Sequence, residues 1–215
     1  MSTDAAYLAE VLWCLDPRGS DDAATRSGAE RYAELLARIR ADDGSALTEL
    51  IGTLTRQLVH YARRFSSSAD DAEDLVQDVF VWVWERRHEL AVRGNFRTYL
   101  YTAVRHRALD VRKHRNAEAA RITAVHAAGR IPAMGGGTAG ADVAVDRREI
   151  ADRLEAALAT LPPRAREVAL LRWQDGLSRA EIVDVMGVAL PTVKKDLMIA
   201  TQMTRALLED LRGSE

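Results

Sequence analysis

The chain has 215 residues, of which 47% are hydrophobic and 29% charged, with a formal charge of -2 and a pI near 6.2. Such a composition describes a soluble globular chain with room for one large or two small domains, and it holds no apolar run long enough to span a bilayer and no signal-peptide pattern, so a cytoplasmic location is expected. The single cysteine, Cys14, excludes an internal disulfide and a multi-cysteine metal site.

Residues 1–28 read as an N-terminal extension. Ala6, Leu8, Val11, Leu12 and Leu15 predict a short helix that ends at the turn-forming run Asp16-Pro17-Arg18-Gly19. Cys14 lies inside the apolar Val11-Leu12-Trp13-Cys14-Leu15 stretch and reads as a buried, inert thiol. From Ala29 to Phe65 the pattern is helical. Tyr32, Leu35, Leu36 and Ile39 predict one helix; Leu47, Leu50, Ile51, Leu54, Leu58 and Tyr61 predict a second, with Ser45 as its N-cap.

A third helix follows Ser68, whose hydroxyl can accept an orphan backbone N–H, and it opens with Asp70, Asp71, Glu73 and Asp74, where the dipole favours anions. Val76, Val79, Phe80 and Val83 recur at i, i+3, i+4, i+7 and face inward; Asp74, Gln77, Asp78 and Glu85 face out. That outward strip is either helix-start chemistry on a solvated face or a docking face for a basic partner.

The chain breaks at Arg93-Gly94-Asn95, because glycine and asparagine tolerate the left-handed conformation that ends helices. In the next helix Phe96, Leu100, Val104, Ala108 and Val111 make the apolar stripe, and Arg93, Arg97, Arg105, Arg107, Arg112, Lys113 and Arg115 supply a basic patch. Tyr99 and Tyr101 lie among these cations. Rings that stack on an unpaired base, beside guanidiniums that neutralise phosphate, suit single-stranded or melted nucleic acid. The other reading makes the tyrosines core and the arginines a solvated face.

After Arg115 the apolar periodicity fades, and residues 116–146, with Gly129, Pro132, Gly135-Gly136-Gly137 and Gly140, read as a flexible linker. The second domain, 147–215, begins with a helix carrying Ile150, Leu154, Ala157, Leu158 and Leu161, stopped by Pro162-Pro163. Val168, Leu170, Leu171 and Trp173 predict the next helix, which stops at Asp175-Gly176. Ser178 and Glu181 form a capping box, Ile182, Val185 and Met186 face inward, Gly187 makes the turn, and Val193 and Leu197 belong to a following helix. This is a helix-turn-helix pattern or an ordinary helical hairpin; in the former the second helix enters a major groove. The predicted fold is all-α, with two small helical domains, 29–115 and 147–215, joined by the linker.

The run DAEDLVQDVF followed by NFRTYLYTAVRHRALD resembles region 2 of bacterial sigma factors of the extracytoplasmic-function (ECF) group, and LEAALATLPPRAREVALLRWQDGLSRAEIVDVMGVALPTVKKDL resembles region 4 of the same group. The resemblance implies that Asp74, Gln77, Asp78 and Phe80 dock on core RNA polymerase. It implies further that Arg93, Asn95, Arg97, Tyr99, Tyr101, Arg105, His106, Arg112 and Lys113 read and melt the minus-ten promoter element, capturing a flipped base. Ser178, Arg179, Pro191, Thr192, Lys194 and Lys195 would meet the minus-thirty-five element. Many relatives carry asparagine where this chain has His106, and an imidazole differs from an amide in reach, which bears on the preferred base.

In the second domain Ala189 replaces a capping serine, and Asp196, Met198, Ile199 and Thr201 stand where relatives are often basic. Val193-Lys194-Lys195 is closer to the iron-starvation subgroup. The implied function is that of an alternative sigma factor, with core polymerase, promoter DNA and an anti-sigma factor as partners. A sigma-like decoy that binds only a regulator and a stand-alone helix-turn-helix regulator are the alternatives. No enzyme, cofactor or metal site is expected: no Gly-rich phosphate loop or nucleophile elbow occurs, and the histidines are scattered.

Overall fold

The computed structural model describes residues 23–92, 94–125, 156 and 158–212. The expectations placed on the helix before Pro17, on Cys14, on Arg93, on residues 126–146 of the linker and on Ile150, Leu154 and Ala157 fall outside the described residues. Among the described residues all regular structure is helical, and helices α1 (Ala23–Arg40), α2 (Gly44–Arg63), α3 (Ala69–Glu85) and α4 (Phe96–Val125) build the first domain. Helices α5 (Pro163–Trp173), α6 (Arg179–Met186) and α7 (Leu190–Arg212) build the second.

The periodicities translate into burial. Leu35, Leu36 and Ile39 of α1, Leu50, Leu54 and Leu58 of α2, and Val76, Val79, Phe80 and Val83 of α3 are buried together with Phe96, Leu100, Val104 and Ala108 of α4. Each of these side chains except Ala108 contributes on the order of 1.5–3 kcal/mol of transfer free energy. Ile51 and Val111, assigned to the same stripes, are instead exposed, because each stripe is wider than the arc its neighbours cover. Two helix bounds also depart from the sequence pattern. Helix α1 starts at Ala23, inside the segment read as an extension, and α4 runs on to Val125 past the point where apolar spacing fades. The continuation, with Ala117, Ala119 and Ala120, is rich in strong helix formers that need no apolar face to stay helical.

The cap of α2 is Asp43, not Ser45. Asp43 Oδ1 accepts from the Ser45 and Ala46 amides at 2.9 and 3.4 Å, and the Ser45 hydroxyl donates to the same oxygen at 2.6 Å. Ser68 caps α3 by accepting from Asp71 N at 3.0 Å.

The apolar cluster does not end with the first domain. Val168, Leu171, Leu177, Ile182, Val185, Met186, Val193 and Leu197 of the second domain belong to the same contiguous cluster as Leu35 or Phe96. A smaller cluster, Leu158, Leu161, Ala169, Leu170 and Ala200, lies within the second domain. The two domains are therefore packed on each other.

Candidate nucleic-acid interface

Helix α4 is the hinge of the arrangement. Gly94 takes φ +86, which a side chain would strain, and Asn95 then opens α4 by accepting from Arg97 N at 3.0 Å. From there α4 divides its polar residues between two faces.

One face lines an open cavity of about 690 Å³, walled by Trp82 of α3 and by Tyr99, Thr102, His106, Asp110 and His114 of α4. Trp82 and Tyr99 stack at a centroid distance of 6.2 Å and an interplanar angle of 24°, with Phe96 behind Tyr99. Burial pushes the Tyr99 hydroxyl up. The volume falls in the range of small-molecule sites. Two flat rings on one wall and imidazole and carboxylate groups around them suit a planar heterocycle with a hydrogen-bonding edge. Trp82 and His114 are not among the site residues expected from the sequence, where Trp82 belongs to an apolar run and His114 to the scattered histidines. They join the site only because α3 crosses α4 and because His114 lies two turns beyond His106.

The other face of α4 meets the second domain. Asn95 Nδ2 donates to Glu181 Oε1 at 2.7 Å, Arg105 Nε to Glu167 Oε1 at 2.9 Å, and Tyr101 Oη to Asp175 Oδ1 at 3.3 Å. Arg97 donates to the Asp175 carbonyl and to Gln57 Oε1. Helix α2 joins in: Tyr61 Oη donates to Glu167 Oε1 at 2.9 Å and Arg64 Nη2 to Asp175 Oδ2 at 2.9 Å. Tyr101 was read as one of two stacking rings, but it is a core residue here, fully buried against Tyr61 at 5.2 Å and beneath Arg97. Burial pushes both the Tyr61 and the Tyr101 hydroxyls far up, with Glu167 and Asp175 adding to it. Burial also pushes the Asp175 carboxyl up, against the pull of Arg64. Arg112 and Lys113 are exposed on the following turns.

On α3 the outward strip holds Asp74, Gln77 and Asp78, all exposed, whereas Phe80 is buried beneath them. Phe80 can thus shape the strip but not touch a partner on it. Two acids of this helix are tied to α4: Asp71 takes a two-pronged pair from Arg115 at 2.9 and 3.0 Å, and Asp78 accepts from Arg107 at 2.7 Å. The Arg115 guanidinium, with the Ser68 hydroxyl, holds the Asp71 carboxyl below its usual range. Val81, 55% exposed, sits one turn from Gln77 and Asp78 and adds an apolar spot that the charge pattern concealed.

In the second domain the capping box is complete: Ser178 Oγ accepts from Glu181 N at 3.2 Å and Glu181 Oε2 accepts from Ser178 N at 2.8 Å. Ser178 is buried, so the DNA contact implied for it is, in this structure, a capping contact. Gly187 takes φ +65 and turns the chain into α7. Without a capping serine, α7 starts on the Ala189 carbonyl, which accepts from Thr192 and Val193, and Pro191 fits the first turn because its missing N–H has no intrahelical partner there. Pro191, Lys194 and Lys195 are exposed, and Thr192 and Arg179 are half-buried. Asp196, which looked like a lost cation, is buried and paired with Arg164 of α5 at 2.7 Å. Its role is to tie α7 to α5. Leu190 and Met198 are exposed on α7.

Among the described residues no group of His, Cys, Asp and Glu is arranged to hold a metal, and no helix is long and apolar enough to cross a membrane.

Residues 50–118 match Sigma-70 region 2 and residues 151–203 match Sigma-70 region 4. The chain is 28% identical to the ECF RNA polymerase sigma factor SigL of Mycobacterium tuberculosis, over 86% of this chain and 96% of that one. It is 22% identical to SigW of Bacillus subtilis, over 82% and 96%, and 32% identical to SigE of Mycolicibacterium smegmatis, over 74% and 60%. Its fold resembles that of CnrH in complex with the cytosolic domain of CnrY, with a TM-score of 0.57, 23% identity and coverage of 84% and 98%. It also resembles RpoE in complex with the anti-sigma factor NepR from Bartonella quintana, with a TM-score of 0.55, 21% identity and coverage of 75% and 96%. With both sigma-70 regions present in order and with relatives of this kind along most of its length, the chain belongs to the sigma factors of the extracytoplasmic-function group and directs promoter recognition for RNA polymerase.

Proposed function

We propose that the Trp82–Tyr99–His106 cavity receives one flipped base of the minus-ten element while α3 docks on core polymerase through Asp74, Gln77, Asp78 and Val81. The observation that carries this reading is the cavity itself, a slot with two stacked rings on one wall and with His106 and the exposed cation Arg107 in its lining. Unstacking a base costs a few kcal/mol, and stacking on aromatic rings returns about 1–3 kcal/mol per base. Residues 29–115 do the docking and base reading, 116–146 connect, and 147–215 place α7 in the minus-thirty-five major groove with Arg179, Pro191, Thr192, Lys194 and Lys195. The chain acts in the cytoplasm as an initiation subunit, and polymerase supplies the chemistry. Val193-Lys194-Lys195 supports a place near the iron-starvation subgroup, and the complexes of CnrH with the cytosolic domain of CnrY and of RpoE with the anti-sigma factor NepR support an anti-sigma partner.

The test reconstitutes the purified chain with core polymerase on fragmented genomic DNA and sequences the 5′ ends of the transcripts. A shared upstream motif supports the reading; transcripts that start no differently with and without the chain refute it and favour a decoy. Asp78→Arg, which places two guanidiniums side by side with Arg107, is expected to lower polymerase binding by about tenfold or more with little change in DNA contacts. Arg112→Ala is expected to leave polymerase binding intact and slow promoter opening. Equal losses in both assays for both variants would mean misfolding.

A further inference from the structure

The two faces of α4 are in different states. The cavity face is open, but the opposite face, with Asn95, Arg97, Tyr101 and Arg105, is covered by carboxylates of the second domain. We propose that Glu167, Asp175 and Glu181 form an intramolecular stand-in for the promoter backbone, so that the second domain is a competitive ligand for the strand-binding groups of the first. The inference rests on the minus-ten reading of α4 given above.

The chemistry of the contact supports it. Glu167 offers one oxygen to both Arg105 and Tyr61, at 2.9 Å each, which is how a phosphate oxygen meets a guanidinium and a hydroxyl on a strand-binding surface. Asp175 does the same for Arg64 and Tyr101 with its two oxygens, and its carbonyl takes Arg97. Glu181 takes Asn95 at 2.7 Å and Thr98 at 3.4 Å. The contact is also incomplete. Arg64 Nη1 and Arg97 Nε are buried and find no acceptor among the described residues, although an unmet buried donor is costly. A phosphate carries more acceptor oxygens than the carboxylate it would replace, and can meet these leftover donors. A closed chain of this kind binds DNA with an affinity reduced by the fraction of molecules that are open. Free chains would then be kept off nucleic acid, and an event that separates the domains would expose the whole strand path at once.

The full chain, with Cys14→Ser, is the test protein. Binding is read by anisotropy of a short fluorescein-labelled single-stranded DNA of randomised sequence, without polymerase. The charge-neutral double variant Glu167→Gln with Asp175→Asn keeps side-chain volume and is expected to bind about tenfold or more tightly than the parent. Adding Arg105→Ala to that variant is expected to cancel most of the gain. In a second version, His60→Cys and Gln174→Cys, at exposed positions whose side chains meet at 2.9 Å, are joined by a short bismaleimide. The bridged chain is expected to lose most DNA binding, and to start few transcripts when given core polymerase. Two outcomes overturn the proposal: a double variant, folded by its melting curve, that binds DNA no better than the parent, or a bridged chain that binds and initiates like the unbridged one. Failure of the minus-ten reading looks different, because then the unbridged parent itself directs no motif-specific transcripts with core polymerase.

Discussion

At the scale of single residues, the tyrosines separate two readings that sequence alone left open. Tyr99 stands on the cavity wall and Tyr101 in the core, two positions apart and therefore about 200° apart on a helix. Periodicity gave both rings the same standing, because each lies next to cations and off the apolar stripe. Trp82 was illegible for a related reason: it sits inside an aromatic and aliphatic run, Val81-Trp82-Val83-Trp84, that reads as core in any pattern. Only the crossing of α3 over α4 turns it towards Tyr99. If the Trp82 ring carries the base, Trp82→Ala weakens promoter opening by about 1–3 kcal/mol, or about 5- to 150-fold, at unchanged polymerase affinity. Permanganate reactivity of the melted strand in the polymerase complex measures it. Opening that persists at the parent rate would move the base elsewhere.

At the scale of elements, caps and turns were the features that sequence read best, and the one error is instructive. Asp43 and Ser45 are both strong N-cap residues; the chain uses Asp43 because the positive φ of Asp42 ends α1 and aims Asp43 back at the α2 amides. The Ser45 hydroxyl first, and then the Arg38 guanidinium, hold the Asp43 carboxyl down at about 2. A carboxyl depressed in the folded state stabilises above its unfolded value near 3.8, and that contribution is lost as the pH falls through about 2. Asp43→Asn should therefore flatten the acid limb of melting temperature against pH between those values, by lowering the plateau above about pH 4, where the carboxylate's contribution is fully present, and changing little near pH 2. An unchanged acid limb would show that other carboxylates set it. In the helix-turn-helix the demand falls on the backbone. Gly187 has open space around it but holds φ +65, so Gly187→Ala should destabilise by about 1–2 kcal/mol through strain alone. A denaturant midpoint that does not move would deny that the turn is strained.

At the scale of the whole molecule, the two domains were legible but their embrace was not. Each helix announces its own apolar face, whereas Arg105 and Glu167 are 62 positions apart and His60 and Gln174 are 114 apart, so no local pattern connects them. Sequence reading treated Arg97 and Arg105 as surface cations awaiting a polyanion, and the chain supplies carboxylates of its own. The consequence is thermodynamic as well as functional. Because Leu171, Leu177 and Ile182 share one apolar cluster with Leu58 and Leu100, separating the domains exposes side chains that both cores need covered. Neither domain then unfolds at its own midpoint, and the full chain is expected to melt in one cooperative transition, with equal calorimetric and van't Hoff enthalpies. Arg64→Ala, which leaves the buried Asp175 carboxylate without its cation, should lower that midpoint and begin to split the transition, since removing one partner of a buried pair costs several kcal/mol. Two resolved transitions in the unmodified chain would show instead that the domains unfold independently and that the shared core contributes little to their union.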